Sequence, residues 1–286
     1  MAALFNNPTI EQLAHFLGSD AATDKPHVHA LQPLGSNPPI ICLGAFAGPL
    51  FSPLINHLGL QQPFLSVGLR TSDLKDLTAP YRLEEISTRL MSAIRRVQPK
   101  GPYYLAGWCF DGVIAYETAR QLEKSGNEVG LVVLFDAPNP AAQVKGTLPR
   151  KIGAHFAELR KLRSKQMFPY IYERLKGMKE ATRLASWRFL YQMSRYSKRE
   201  RPKSMDQVLY LAVLNYCPEP YPGRVVLFRS FTPGHDRTRD FGWKGIAGDL
   251  AIEEIPGGHR GMFEEPNVRF LAERVRAHLA NQVIRS

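Results

Sequence analysis

The chain has 286 residues, 44% hydrophobic and 22% charged. These proportions exclude a disordered or fibrous protein and suit one large globular domain or two small ones. No apolar run approaches the roughly 20 residues that cross a bilayer, and no basic segment followed by an apolar run opens the chain as a secretory leader would, so no membrane partner is expected. The three cysteines, Cys42, Cys109 and Cys217, lack paired spacing. Neither a disulfide framework nor a metal site is expected, and a reducing cytoplasm is the expected location. The net charge of +11 is concentrated between Arg150 and Lys203, where sixteen Lys and Arg face four Glu. This segment is either a surface for an acidic partner or the solvated faces of a few helices. No recognition motif accompanies the charge, so no nucleic-acid partner is expected.

Residues 4–18, LFNNPTIEQLAHFLG, begin with capping-box spacing at Thr9 and Gln12. An apolar stripe of Ile10, Leu13, Phe16 and Leu17 follows, and Gly18 ends the helix. One helix is too short to be a domain, and residues 19–34 read as a polar, proline-containing linker. Strand and helix signals then alternate. Pro39–Leu43 is a short apolar run leading into a turn at Gly44–Gly48, and Phe64–Leu69 is a second strand. Leu83–Val97 has helical periodicity, and Tyr103–Ala106 is a strand. Phe110–Lys124 is a helix stopped by Gly126, and Leu131–Phe135 is a buried strand ending on Asp136. This spacing predicts a mostly parallel sheet with helices on its faces. From Pro138 to about Cys217 the alternation gives way to a largely helical insert that carries the basic stretch. Strands return at Arg224–Phe228 and Leu250–Ile255, and Glu264–Ala280 closes the chain as a helix.

The chemistry is concentrated in Tyr103–Leu122, YYLAGWCFDGVIAYETARQL. An apolar strand meets Gly107, then Cys109, then a helix. A sharp strand-to-helix turn of this kind lifts a nucleophile above the sheet edge. The turn needs small residues on both sides of the nucleophile. Gly107 supplies the first; Asp111 does not supply the second, although Gly112 follows. Chain order then places an acid and a histidine after the nucleophile. Asp136 lies at the end of the next buried strand, at the sheet edge where open α/β sheets bind ligands. His259 sits in the loop Ile255-Pro-Gly-Gly-His259 after the last strand.

Residues from about 37 to 282 resemble the releasing, type I thioesterase domains of nonribosomal peptide and polyketide synthases. The likeness rests on GPYYLAGWCFDGVIAYETARQL, LVVLFDAP, the pair Gly242-Trp243 and IPGGH…FEEP. The segment LFNNPTIEQLAHFL is similar to the last helix of a carrier domain. The resemblance implies an α/β-hydrolase fold, a mostly parallel sheet flanked by helices with a helical lid insertion at about 140–217. It divides the chain into a carrier remnant at 1–18, a linker at 19–34 and a thioesterase domain at 35–286. It also implies an acyl or peptidyl thioester delivered on the phosphopantetheine arm of an upstream carrier domain, with no cofactor bound to the domain itself. Two positions depart from the family pattern: Cys109 stands where serine is usual, and Asp111 where glycine is usual.

Under this reading Cys109 is the nucleophile, active as the thiolate. His259 is the base, and Asp136 orients it. The oxyanion hole uses the backbone N–H of Phe110 and a second donor around Phe46. Trp108 and Asp111 are candidate substrate contacts; Asp111 is alternatively a polar residue at a helix start. Cys42 and Cys217 are expected to be structural. Among the lid's large side chains, such as Phe156 and Trp187, some are expected to line the substrate chamber. The expected activity is chain release, by intramolecular cyclisation to a lactam or strained ring. The alternatives are hydrolytic release or proofreading, transfer to an external acceptor, and, because the motif is broken, a non-catalytic carrier-docking domain.

Overall fold

The computed structural model describes residues 27–44, 48–69, 77, 80–142, 204–231 and 238–283. The carrier-like helix, Phe46, and the basic lid segment with Phe156 and Trp187 lie outside the described residues. In chain order the elements are β1 (His27–Gln32), β2 (Ile40–Leu43), α1 (Gly48–Leu58), β3 (Phe64–Gly68), α2 (Leu83–Val97), β4 (Tyr103–Trp108) and α3 (Phe110–Lys124). β5 (Val129–Phe135), α4 (Met205–Leu214), β6 (Tyr221–Phe231), β7 (Ala247–Pro256), the one-turn α5 (Gly258–Gly261) and α6 (Asn267–Val283) follow.

The strands form one seven-stranded sheet in the order β1-β3-β2-β4-β5-β6-β7. β1 runs antiparallel to β3, and the other neighbours are parallel. This is the α/β-hydrolase architecture. It corrects one sequence expectation: within the 19–34 stretch read as a linker, residues 27–32 pair with β3 as the edge strand. The sequence HVHALQ is too polar to signal a buried strand, and an edge strand needs only one half-buried face. Helix α1 was hidden by Pro53 in its interior, a residue that ordinarily marks a helix break.

Period-two alternation sorts each central strand onto two cores. Ile41, Leu43, Leu105, Val132, Leu134, Val225 and Leu227 face α2, α3 and α4. Ile40, Cys42, Ala106, Val133, Phe135, Val226 and Phe228 face α1 and α6. Helix α2 buries Leu83, Ile86, Leu90, Ala93 and Ile94 along one stripe, with Glu84 and Glu85 in its first turn and Arg95 and Arg96 in its last, each complementing the helix dipole. Helix α3 is buried almost all round, so its polar residues need partners. Glu117 is fully buried and accepts bonds from Arg120, Gln121 and the Tyr216 hydroxyl.

The chain leaves β2 toward β3 on one side and returns to β4 on the other. The crevice between β2 and β4 is therefore the topological switch point, where open α/β sheets place their ligands. The loop after β2 begins at Gly44, and the turn after β4 carries Cys109, so both border this crevice.

Candidate active site

Cys109 joins β4 to α3 with φ 56° and ψ −122°, a strained conformation for a non-glycine residue. Its N–H donates to the Phe135 carbonyl at 2.9 Å, which ties the turn to β5. A Cβ on Gly107 would lie 2.3 Å from the Asp111 carbonyl oxygen and 2.5 Å from the Gly112 nitrogen. A Cβ on Gly112 would lie 2.4 Å from Ala137 Cβ. The two positions that must be small are thus 107 and 112, and the turn closes with Asp111 in place. The Asp111 side chain leads away from the strand–helix contact and lies over Gly44. There it is desolvated and faces Asp206, and these two influences, in that order, push its carboxyl well above the ordinary carboxylate range.

Asp136, with φ 48°, follows β5 and is buried. Its N–H donates to the Phe228 carbonyl at 2.7 Å. Its Oδ1 accepts the Ser230 N–H at 2.7 Å, and its Oδ2 pairs with His259 Nδ1. Burial alone would raise this carboxyl. The bond and charge of His259 and the Ser230 N–H outweigh it and hold the carboxyl below its usual value. Ser230 acts on Asp136 through its backbone N–H and through its side chain as well.

His259 is presented by two glycines with positive φ, Gly257 at 102° and Gly258 at 72°. At Gly257 a Cβ would meet Asn267 Nδ2 at 2.3 Å and the Gly261 carbonyl oxygen at 2.6 Å, so the loop admits no side chain there. Desolvation would push the imidazole down. Bonds to Asp136 and Cys109, and the charges of both, overcome this and raise it to about 9. The structure thus brings Cys109, His259 and Asp136 together from the ends of β4, β7 and β5. Cys42 is buried in β2, while Cys217 is exposed, which corrects its reading as a structural residue.

The N–H of Phe110 belongs to the first turn of α3, where backbone donors have no acceptor within the helix. Its ring packs edge-on against Tyr210 of α4 at 5.1 Å. The Trp108 ring lies against His259, Arg260 and Phe263. The Gly242-Trp243 pair supports the segment after the acid. Trp243 Nε1 donates to the Ala137 carbonyl at 2.7 Å, and Asn139 Nδ2 donates to the Gly242 carbonyl at 2.8 Å.

This arrangement of turn, acid and histidine has counterparts among known proteins. Residues 39–279 match the family model for the thioesterase domain. The chain belongs to the thioesterase domain family. It is 26% identical over 287 residues to Malpibaldin synthetase of Mortierella alpina, covering 97% of this chain and 5% of that protein. It is 32% identical over 148 residues to the Dimodular nonribosomal peptide synthase of Bacillus subtilis (strain 168), covering 50% of this chain and 6% of that protein. The domain therefore spans a small fraction of the length of these relatives. Among solved structures it resembles the thioesterase domain of NocB from the nocardicin cluster, at 25% identity and TM-score 0.57, covering 89% of this chain and 99% of that one. It also shares its fold with part of holo-AB3403, a four-domain nonribosomal peptide synthetase, at 21% identity and TM-score 0.61, covering 96% of this chain and 22% of that one. Among the described residues no helix is long and apolar enough to cross a membrane.

Proposed function

We propose that this thioesterase domain releases an acyl or peptidyl chain from the phosphopantetheine thioester of an upstream carrier domain, through a covalent intermediate on Cys109. The observation that carries this reading is the strained turn holding Cys109 beside a histidine whose far nitrogen is paired with a buried carboxylate. The Cys109 thiolate attacks the thioester carbonyl, and the oxyanion is received by the Phe110 N–H and a second donor from the loop after β2. Collapse expels the pantetheine thiolate, which takes the proton held on His259 Nε2. His259 then accepts a proton from the second nucleophile as it attacks the Cys109 thioester. The Cys109 thiolate leaves and the released product departs.

Transfer from the carrier thiol to Cys109 exchanges one thioester for another, so the acyl group stays activated. Thioesters react with amines much more readily than oxygen esters do, while their hydrolysis rates are similar. This favours release by an internal amine, with ring closure as the product-forming step. The likeness of LFNNPTIEQLAHFL to the last helix of a carrier domain supports delivery by a preceding carrier domain, and the sixteen Lys and Arg between 150 and 203 complement the charge of an acidic one.

The test is incubation with a panel of aminoacyl and fatty acyl pantetheine thioesters, read by intact mass and peptide mapping. An acyl adduct on Cys109 that is absent from Cys109→Ala is the expected result. Turnover without an adduct at Cys109, and unimpaired in Cys109→Ala, would refute the covalent route. Formation of linear acid alone from a natural thioester would establish hydrolytic release instead of cyclisation.

A further inference from the structure

Trp108, immediately before the nucleophile, holds the base at two points. Its indole ring stacks on the His259 imidazole, with centroids 4.4 Å apart and planes inclined by 29°. Its Nε1–H donates to the backbone carbonyl of His259 at 3.0 Å. The indole is itself braced: Phe263 meets it edge-on at 6.4 Å and 84°, and the Arg260 guanidinium lies 5.7 Å from the ring centroid. We propose that Trp108 is a positioning residue for His259, which couples the base to the nucleophile turn and stabilises its protonated form. This rests on the reading of Cys109 and His259 as nucleophile and base.

The need for such a residue follows from how His259 is presented. Two glycines with positive φ precede it, and it lies within the single helical turn that follows β7. Its side chain is 41% exposed, and Asp136 fixes the ring only at Nδ1. The bonds to Asp136 and Cys109 both act in the ring plane, so neither resists a swing of the ring out of that plane that carries Nε2 out of line with sulfur. The stacked indole restricts this swing, and the Nε1 bond pins the backbone from which the ring hangs. Because Trp108 and Cys109 are adjacent, the brace and the nucleophile move as one unit. The negative π face of the indole also favours imidazolium over imidazole, the state that accompanies a thiolate. The groups that bear on His259 electrostatically are Asp136 and Cys109, and the cation against the indole is Arg260.

The experiment compares wild type, Trp108→Phe, Trp108→Leu and His259→Ala. Iodoacetamide alkylation of Cys109 is followed against pH by peptide mass mapping, and acylation by a pantetheine thioester is followed alongside. Melting temperature confirms folding of each variant. In wild type, alkylation is expected to show a fast limb that His259→Ala abolishes. Trp108→Leu is expected to shrink that limb by about tenfold and to lower the apparent imidazolium pKa by about half a unit. Its acylation kcat is expected to fall about tenfold with KM nearly constant. Trp108→Phe, which keeps a stacking ring and loses the N–H, is expected to fall between. A folded Trp108→Leu whose alkylation profile superposes on wild type, or whose loss lies wholly in KM, would overturn the proposal and return Trp108 to substrate contact. A wild-type profile that His259→Ala does not alter would instead refute the Cys–His pairing, and this inference with it.

Discussion

The Asp111 carboxyl occupies the space that a side chain on Gly44 would need. A Cβ on Gly44 would lie 2.0 Å from its carboxyl carbon and 2.1 Å from one oxygen, and Gly44 has φ +120°. Position 44 therefore combines a backbone conformation that suits glycine with a volume already filled by the helix opposite. Gly44→Ala is expected to destabilise the domain by about 2 kcal/mol or more. Adding Asp111→Gly should recover the steric part and leave the backbone strain. Urea unfolding of both single variants and the double variant checks this: a coupling of about 1 kcal/mol is expected, as for residues in contact, and strict additivity would contradict the shared volume.

The same carboxyl makes stability fall as pH rises. Desolvation first and Asp206 second raise its pKa in the folded state, and Cys42 is the neighbouring thiol that feels its charge. The folded chain thus holds a proton that the unfolded chain has already lost, so stability declines from about pH 4 upward until the raised folded value is passed. Asp111→Asn removes this loss. Its urea midpoint should exceed that of wild type at pH 7, and the difference should vanish near pH 3.

The pairing of Asp136 with His259 adds a second decline with rising pH, at the alkaline end, and an opposite limb on the acid side. The imidazole is raised to about 9, so its contribution is complete below about pH 6.5 and disappears as pH climbs through 9. On the acid side the depressed Asp136 carboxyl gives a contribution present above about pH 4 and lost on further acidification. The 41% exposure of the His259 side chain keeps the effect modest through solvent screening. Asp136→Asn should flatten both limbs of a urea-midpoint profile between pH 3 and 10. It should also slow Cys109 acylation by about 100-fold or more through loss of the oriented tautomer.

Glu117 supplies a test remote from the chemistry. It is buried in α3, is hydrogen-bonded by Tyr216 at 2.5 Å, and pairs with Arg120, which also reaches Glu219 at 2.6 Å. The network ties the helix behind Cys109 to the segment following α4. Glu117→Ala removes the carboxylate from Arg120 Nε and Nη2, leaving only the exposed Glu219 as its partner, and should cost about 3 kcal/mol. Tyr216→Phe should cost about 1 kcal/mol, the loss of one hydrogen bond to a charged group offset by retained packing. Guanidinium titration resolves the two.

The central elements were legible from local pattern alone. Leu83–Val97 and Phe110–Lys124 have the same bounds in the sequence reading and in the structure, because an amphipathic stripe and a strand–Gly–nucleophile–helix turn are both local signals. Chain order and strand ends were enough to nominate Cys109, Asp136 and His259, since each sits one or a few residues past an apolar strand. The sequence could not say how the broken motif closes. Asp111 offends only if the helix-side contact falls at 111, and the contact falls at Gly112, which depends on how α3 passes β4 and Ala137. Nor could it reveal β1, whose pairing with β3 is a relation between distant polar and apolar segments. The covering of His259 by Trp108, separated by 151 residues, and the bond from Ser230 N–H to Asp136 were equally hidden. Residue types and periodicity are local properties, so the chain's own order determined the sheet and its candidate nucleophile, acid and base. Which groups meet across the sheet edge, and with what charge, is set by packing between segments far apart in sequence, and only the tertiary structure decided it.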